Sequence, residues 1–423
     1  MKYTELSPAA LDAEYNKVLA EFEGWKAKGL KLNMARGKPS KQQLDLSTEL
    51  LTILSDPNAC MDEGVDARNY GELAGLPCAR KYFADVLGCK PSQVFAGGSA
   101  SLTLMYDTIS KAVTHGMLHS ERPWCREEGL KWLCPAPGYD RHFKITESFG
   151  FELITIPMTP TGPDMDLVEE LIRDPKVKGM WNVPKYSNPD GIIYSDETIR
   201  RLAAMKPAAP DFLLMWDNAY CIHEFDGDFV PFDDILSLCE QYGNADMVIE
   251  YASTSKITLP GAGISCFACS EANMAYLQKL MGIQMISFDK INQLRHVMFL
   301  KDKAHTLELM KKHAAIMKPK FDMVVSTLER EIAPLGLAEW NRPKGGYFVS
   351  VNTLPGLARR TVELVKEAGV VMTGAGATFP YGKDPNDSNI RVAPSLPPVE
   401  ELEQAMAVFC CCLKLAALEQ CRK

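Results

Sequence analysis

The sequence predicts an α/β protein: a large domain with a mainly parallel sheet of seven strands between helices, and a smaller α/β domain. Between about residues 69 and 270, short apolar runs alternate with helical patterns, which is typical of parallel strands joined through helices. Beyond residue 287 the pattern changes to a long helical stretch, followed by two short strands and two helices. The chain has 423 residues, 46% of them hydrophobic, so it can bury the cores of more than one such unit.

Each element follows from a local pattern of apolar residues. The predicted strands of the large sheet are the runs at 93–96, 131–134, 151–157, 179–183, 212–217, 247–252 and 263–269. Helical periodicity predicts helices at 9–29, 99–114, 165–173, 196–205, 287–330, 358–369 and 398–420, and two further strands fall within 345–351 and 389–396. Residues 31–48 have the composition of a loop. We therefore expect an N-terminal segment 1–50 that joins the small domain, a large domain 51–305, and a C-terminal small domain 306–423.

Composition excludes several classes of protein. The net charge of −8 gives no support to binding of nucleic acid or of a membrane surface, and no run of about 18 apolar residues predicts a membrane span. The N-terminus lacks the apolar core of a secretory signal, so we expect a cytoplasmic protein with reduced thiols at its 13 cysteines. Cys266 and Cys269 lie within a predicted strand, and Gly116 between His115 and His119 replaces the glutamate of a zinc-protease motif, so no redox or metal site is predicted.

Lys256 is the most informative single residue. The apolar run at 247–252 predicts a buried strand, which leads into Ser253, two further hydroxyl residues and then Lys256. The end of such a strand is where α/β proteins build their sites. Partial desolvation there lowers the pKa of a lysine and lets its amine attack a carbonyl group. Taken alone, the stretch also fits a surface lysine on a polar loop.

Three other polar features follow predicted strands. Asp217 ends the run FLLMWD, with Tyr220 three residues further on, and an acid at the mouth of a buried strand needs a partner. Asn188 lies in YSNPDG, after another strand. In FAGGSASL, Gly98 and Ser99 lie between a strand and a helix, where open N–H groups are suited to a phosphate. Taken singly, each feature also fits an ordinary turn or cap.

In this order and spacing, the four features resemble the pyridoxal 5'-phosphate (PLP) enzymes of fold type I, the aspartate aminotransferase superfamily, over about residues 30–415. Other segments are similar to signatures of that family: MARGKPS at 34–40, NYGELAGLPCARKYF at 69–83, PAPGYD at 135–140, PKGGYF at 343–348 and NIRVAP at 389–394. The sequence around KGGYF and TSKIT is most similar to that of a bacterial subgroup of aspartate aminotransferases.

The resemblance implies a role for each residue around the cofactor. Lys256 would hold PLP as an imine and later move the α-proton of the substrate. Asp217 would pair with the pyridine nitrogen, and Asn188 and Tyr220 would bind the phenolic oxygen. Tyr139 would stack on the ring.

The resemblance also implies how the phosphate and the substrate are bound. Gly98, Ser99, Ser101 and Ser253 would hold the phosphate, together with Tyr70 from the neighbouring subunit of a homodimer. Arg391 would bind the substrate α-carboxylate through two parallel hydrogen bonds, with the Gly37 backbone close to it.

Two departures from the family pattern stand out. In relatives, an arginine several residues after the lysine commonly binds the phosphate. This chain has LPGAGISC at that place, with no basic residue. The residue for a substrate side-chain carboxylate is also open: Lys290 of the partner subunit is one candidate, and Arg36, Arg141 and Lys185 are its rivals.

The implied activity is transfer of an amino group, with aspartate and 2-oxoglutarate as the expected pair and a ping-pong order of reaction. The alternatives are another PLP reaction, such as elimination or racemisation, and an aminotransferase-like regulator without catalysis. A serine hydrolase built on Ser99 is a weaker alternative, because Ser101 replaces the second glycine of the GxSxG turn.

Overall fold

An eight-stranded sheet forms the centre of the computed structural model, which describes residues 2–422. The strands of the described chain are β1 (Leu32–Asn33), β2 (Met61–Asp62), β3 (Val65–Asp66), β4 (Val94–Ala96), β5 (Lys131–Ala136), β6 (Glu152–Thr159), β7 (Gly162–Pro163), β8 (Val177–Asn182), β9 (Leu213–Asp217), β10 (Val248–Ser253), β11 (Ser265–Cys269), β12 (Ala338–Trp340), β13 (Val349–Thr353), β14 (Val370–Val371) and β15 (Asn389–Val392).

The large sheet has the strand order β4-β11-β10-β9-β8-β5-β6-β7. All seven strands that the sequence predicts are in it, and β5, β6, β8, β9 and β10 pair in parallel. β11 runs against both of its neighbours, and the eighth strand, β7, adds two antiparallel residues to β6. Every residue of β8 and β9 is buried, because helices cover both faces of a parallel sheet. The predicted α/β class is confirmed.

Thirteen α-helices complete the described chain. They are α1 (Pro8–Ala27), α2 (Lys41–Asp45), α3 (Pro77–Leu87), α4 (Ser101–His115), α5 (Asp140–Ser148), α6 (Met165–Leu171), α7 (Asp196–Ala204), α8 (Ile235–Gln241), α9 (Glu271–Gln284), α10 (Lys290–Leu300), α11 (Lys303–Glu331), α12 (Ala358–Glu367) and α13 (Val399–Cys421). Among residues 2–422, no helix combines the length and the apolar character that crossing a bilayer requires.

The two ends of the chain pack against each other. α1 lies against α13, and β1 pairs in parallel with β14, so the N-terminal segment is part of a C-terminal structure. β12, β13 and β15 form an antiparallel sheet whose buried residues share one core with α1, α11, α12 and α13. This arrangement agrees with a small domain made from both ends, and the boundaries at residues 50 and 305 stay a prediction.

The structure differs from the prediction in two helical segments. The predicted helix 287–330 is two helices, because the backbone of Lys301 has a positive φ of 60° and Asp302 starts α11 by accepting a hydrogen bond from the His305 N–H. The predicted loop 31–48 contains the short helix α2. Ser40 and Gln43 form a capping box at its start, a local signal that was present in the sequence.

Candidate active site

A cavity of about 550 Å³ lies where β9 and β10 end. The carboxyl ends of parallel strands meet at one edge of a sheet, so side chains that are far apart in sequence converge there. The structure brings most of the predicted site residues to its wall: Gly37, Ser101, Tyr139, Asn188, Asp217, Tyr220, Ser253, Lys256 and Arg391. Gly98, Ser99, Tyr70 and Lys290 lie outside this wall, as described below.

Lys256 follows the end of β10 and is enclosed by aromatic rings. Its Nζ lies 4.7 Å from the centre of the Tyr220 ring and 5.7 Å from that of Tyr347. Burial lowers the pKa of Lys256, and the nearby Tyr139 and Asp217 oppose this shift only in part. The amine is therefore neutral over a wider pH range than an ordinary lysine, as a nucleophile or proton carrier requires.

Asp217, the last residue of β9, has a hydrogen-bond partner among the described residues at only one of its two carboxylate oxygens. Its Oδ2 lies 3.0 Å from Nε2 of His142, whose ring stacks on Trp181 with 4.4 Å between the ring centres. Its Oδ1 is buried and has no hydrogen-bond partner within residues 2–422. A buried carboxylate oxygen without a partner is costly, so a cationic N–H donor in the cavity would fit this position.

Arg391, on β15, reaches the same cavity from the small sheet. Its guanidinium lies 3.1 Å from Asp140 Oδ1, 3.3 Å from Asn188 Oδ1 and 4.8 Å from the centre of the Phe348 ring. Its Nε is buried without a hydrogen-bond partner in the described chain. This orientation leaves donors that a carboxylate could accept from.

Gly37 is close-packed beside Arg391. A Cβ on Gly37 would lie 2.7 Å from the Phe348 ring, so only glycine lets the N-terminal segment approach this closely.

The N-terminus of α4 opens into the cavity. Ala100, Ser101 and Leu102 line the wall, and the first turn of a helix presents N–H groups without intrahelical partners. Ser253 Oγ lies 3.0 Å from Ser255 Oγ, and both of these serines line the cavity. The site therefore offers an anion a helix N-terminus and three hydroxyl groups.

Gly98 and Ser99 lie just before this turn. The carbonyl of Gly98 accepts a hydrogen bond from Ser265 Oγ at 2.7 Å, and that of Ser99 accepts one from Ser255 Oγ at 3.4 Å. Of the four residues of this chain's own site predicted to hold the phosphate, Ser101 and Ser253 line the cavity, whereas Gly98 and Ser99 do not, and the phosphate contacts themselves stay a prediction. The helix α4 begins at Ser101, two residues later than predicted, which leaves Gly98 and Ser99 in the turn before it.

The four residues predicted as candidates to bind the side-chain carboxylate of a substrate lie in different surroundings. Lys185 forms a buried ion pair with Glu224 at 2.5 Å, and the Lys290 ammonium donates to the Gly71 carbonyl at 2.9 Å. Arg36 and Arg141 line the cavity, are exposed to solvent, and form no ion pair with any residue that the structure describes. Both arginines are therefore available to a carboxylate in the cavity.

Tyr70 is 81% exposed, on the loop whose Gly71 carbonyl accepts the Lys290 hydrogen bond. Its predicted contact with a phosphate in the neighbouring subunit stays a prediction.

Two contributors escaped the sequence analysis. His142 follows Tyr139 in the segment PAPGYDRH, but its contact with Asp217 joins residues 75 positions apart. Ser255 was part of the hydroxyl run before Lys256 and was read only as part of that run.

Comparison with known proteins places this chain and its fold in one class, the PLP-dependent transaminases. The chain belongs to the aspartate amino-transferase family, whose model matches residues 6–423. It is 46% identical to an aspartate aminotransferase of Corynebacterium glutamicum, with 99% of each chain covered. A crystal structure of an aspartate transaminase from that organism superposes with a TM-score of 0.97 at 45% identity, covering 100% of this chain and 99% of that one.

A more distant structure shares the fold alone. It is an α-aminoadipate aminotransferase of Thermus thermophilus, complexed with N-(5'-phosphopyridoxyl)-L-leucine, with a TM-score of 0.73 at 22% identity and 95% of each chain covered. The predicted fold type I and the predicted class of enzyme are confirmed.

The family implies PLP as the cofactor, and the residues present fit it. The open Oδ1 of Asp217 matches a protonated pyridine nitrogen, and the lowered pKa of Lys256 matches a lysine that binds an aldehyde. The α4 N-terminus matches a phosphate.

Proposed function

We propose that this transaminase moves the amino group of L-aspartate to 2-oxoglutarate in a ping-pong order. The proposal depends on the positive charge of the cavity. Arg391, Arg36 and Arg141 line the same cavity as Lys256. L-Aspartate and 2-oxoglutarate each carry two carboxylates that these arginines could bind. Arginine binds carboxylates through two parallel hydrogen bonds, so several arginines around one amine favour acidic amino acids. The C. glutamicum relative named aspartate aminotransferase supports the same choice.

Four residues position the cofactor ring in this proposal. When bound, PLP supplies an electron sink for the negative charge that develops at the substrate α-carbon. Asp217 would keep the ring nitrogen protonated through its open Oδ1, while His142 lies against the other carboxylate oxygen. Asn188, Tyr220 and Tyr139 line the same cavity, where the first two would donate to the phenolic oxygen and Tyr139 would cover the ring face.

The phosphate is held without the usual arginine. The open N–H groups of α4, together with the hydroxyl groups of Ser101, Ser253 and Ser255, supply the donors. Gly98 and Ser99 contribute the turn that brings these groups to the cavity. This explains how LPGAGISC, which contains no basic residue, is compatible with cofactor binding.

Arg391 orients the substrate, and Lys256 transfers its α-proton. Arg391 binds the α-carboxylate, with Gly37 leaving room beside it. With PLP bound, the amine of Lys256 would take the proton from the substrate α-carbon and deliver it to the cofactor carbon on the far side of the amino nitrogen. Its lowered pKa leaves the amine neutral for that step.

A homodimer completes the site in this proposal. Tyr70 is 81% exposed, as is Ile283 on α9, while Ile286 is 60% exposed. The end of α9 lies beside the loop of Tyr70, since a Cβ on Gly282 would lie 3.5 Å from Leu73. Exposed apolar side chains gathered in this way mark an interaction surface, and a second copy is the partner that would receive Tyr70. Such a dimer would act in the cytoplasm.

The test is a panel of amino donors with the purified, PLP-loaded protein. We expect aspartate and glutamate to react fastest, with 2-oxoglutarate as the preferred acceptor of nitrogen from aspartate. Faster reaction with aromatic or aliphatic donors would overturn the acidic specificity. Release of pyruvate or ammonia without an acceptor would instead indicate an eliminating enzyme.

A further inference from the structure

A buried network of polar side chains lies next to the backbone of Lys256. Its centre is Gln43 on α2, which is completely buried. Gln43 Nε2 lies 3.0 Å from the Tyr347 hydroxyl and 3.2 Å from His313 Nδ1. His313 Nε2 in turn lies 3.0 Å from the carbonyl of Ile257, and the Tyr347 hydroxyl lies 3.4 Å from the carbonyl of Lys256.

The direction of every hydrogen bond in this network follows from its two ends. Backbone carbonyls only accept, so His313 carries its proton on Nε2 and accepts from Gln43 on Nδ1. Burial lowers the pKa of His313 to about 4, which keeps the ring neutral in this form. Tyr347 donates to the Lys256 carbonyl and therefore accepts the second N–H of Gln43. The Gln43 carbonyl accepts from the Ser40 N–H at 3.0 Å and from Ser40 Oγ at 3.4 Å, so all four positions of the amide are used.

The network joins parts of the chain that are far apart in sequence, and the segments of Gln43, Tyr347 and Lys256 each contribute residues to the cavity wall. Gln43 belongs to the N-terminal segment that carries Gly37, and it is 304 residues from Tyr347 and 270 from His313. Tyr347 precedes Phe348, which packs on Gly37 and under Arg391. The ring of Tyr347 is also one of the two that face the Lys256 ammonium.

We propose that Gln43 is a positioning residue: with Tyr347 and His313 it fixes the backbone of Lys256 and Ile257, and so sets where the lysine amine lies relative to the cavity walls. The inference rests on the proposed function, in which Lys256 transfers the α-proton. A displacement of a reacting group by a fraction of an ångström slows such a step, and a fully satisfied buried network is the means by which proteins prevent it.

The experiment compares Gln43→Leu and Tyr347→Phe with the unchanged protein. Each variant removes hydrogen bonds that fix the backbone of Lys256, so we expect kcat for aspartate to fall about 3- to 10-fold with KM nearly unchanged. The isotope effect of α-deuterated aspartate should rise, because proton transfer becomes slower than the other steps. Matched controls are Gln404→Leu, on the exposed side of α13, and Tyr276→Phe, whose hydroxyl binds the Gly116 carbonyl.

A second readout uses the protein without its cofactor and so does not depend on turnover. The reactivity of each lysine toward acetic anhydride, measured by mass spectrometry across a pH series, reports the pKa of the Lys256 amine. We expect this midpoint to shift in both variants and in neither control. If Gln43→Leu fails to fold, Tyr347→Phe, which removes a single oxygen atom, carries the test.

The double variant distinguishes a connected network from two separate contacts. Because both changes remove the same hydrogen bond, Gln43→Leu combined with Tyr347→Phe should reduce kcat little more than the worse single change. Strictly additive losses, or an unchanged Lys256 midpoint with unchanged kcat, would overturn the inference. If the unchanged protein shows no preference for aspartate, the proposed substrate is rejected. The labelling experiment would still test the role of Gln43, because it needs no substrate.

Discussion

Asp217 contacts His142 through Oδ2 alone, at 3.0 Å from Nε2, and keeps Oδ1 open beside the cavity. Because His142 is itself stacked on Trp181, the carboxylate is held firmly from one side and is ready to accept a donor on the other. In the proposed function, the protonated ring nitrogen of the cofactor would supply the partner that Oδ1 lacks within the described chain.

Asp217→Asn should keep the shape of this site and lose its charge. A hydrogen bond to a charged group is worth about 1.5–3 kcal/mol, so kcat/KM for aspartate should fall about 10- to 100-fold or further. Steady-state kinetics of the PLP-loaded variant measures this. Asp166→Asn, on the surface of α6, serves as the matched control, and equal activity in both variants would show that Asp217 does not act on the ring.

The pKa of Lys256 gives a prediction with a definite sign. Burial lowers this pKa, and Asp217 opposes the shift by favouring the charged form. In the cofactor-free protein, Lys256 should therefore react with an amine reagent at lower pH than the exposed Lys17. Removing the carboxylate in Asp217→Asn should move the Lys256 midpoint to still lower pH. A midpoint equal to that of Lys17, or a shift upward in the variant, would contradict the electrostatic account.

Arg391→Lys tests recognition of the α-carboxylate. Lysine keeps the charge but cannot form two parallel hydrogen bonds, so KM for aspartate should rise about 10-fold or more. All amino donors share the α-carboxylate, so the loss should be similar for aspartate and alanine. A loss confined to aspartate would instead assign Arg391 to the side-chain carboxylate.

Recognition of the side-chain carboxylate is tested by the ratio of activities toward aspartate and alanine. We expect Arg36→Met or Arg141→Met to lower that ratio about 10-fold or more, because both arginines line the cavity. Lys290→Met tests the remaining prediction, in which the partner subunit supplies the cation. If no variant changes the ratio, the acidic specificity has another source.

A shared site predicts complementation between two defective chains. Lys256→Ala should be inactive by itself, and Tyr70→Ala should be impaired if Tyr70 serves the neighbouring subunit. Refolding the two together should restore up to about a quarter of the sites, because only one site in each mixed dimer has both residues. Activity no higher than the sum of the separate proteins, together with a monomer in sedimentation, would reject the shared site.

Much of the fold could be predicted because it is encoded locally. The seven strand runs and the long helices each carry their own periodicity, and Asp217 and Lys256 follow strand runs directly. The break before α11 was missed because one aspartate cap and one positive φ at Lys301 interrupt a helical pattern that continues on both sides. The turn before α4 was placed two residues early, since helix ends depend on which N–H groups find partners.

By itself, the sequence determined the α/β class, the resemblance to the transaminases, and the identity of the lysine and aspartate at the strand ends. Only the tertiary structure decided which oxygen of Asp217 is open, which serines face the cavity, and that Gln43 joins Tyr347 and His313 across about 300 residues of chain. The physical reason is the range of the forces. Periodicity and capping act between residues within a few positions, whereas a buried hydrogen bond forms only after the folded chain has brought its donor and acceptor together and excluded water.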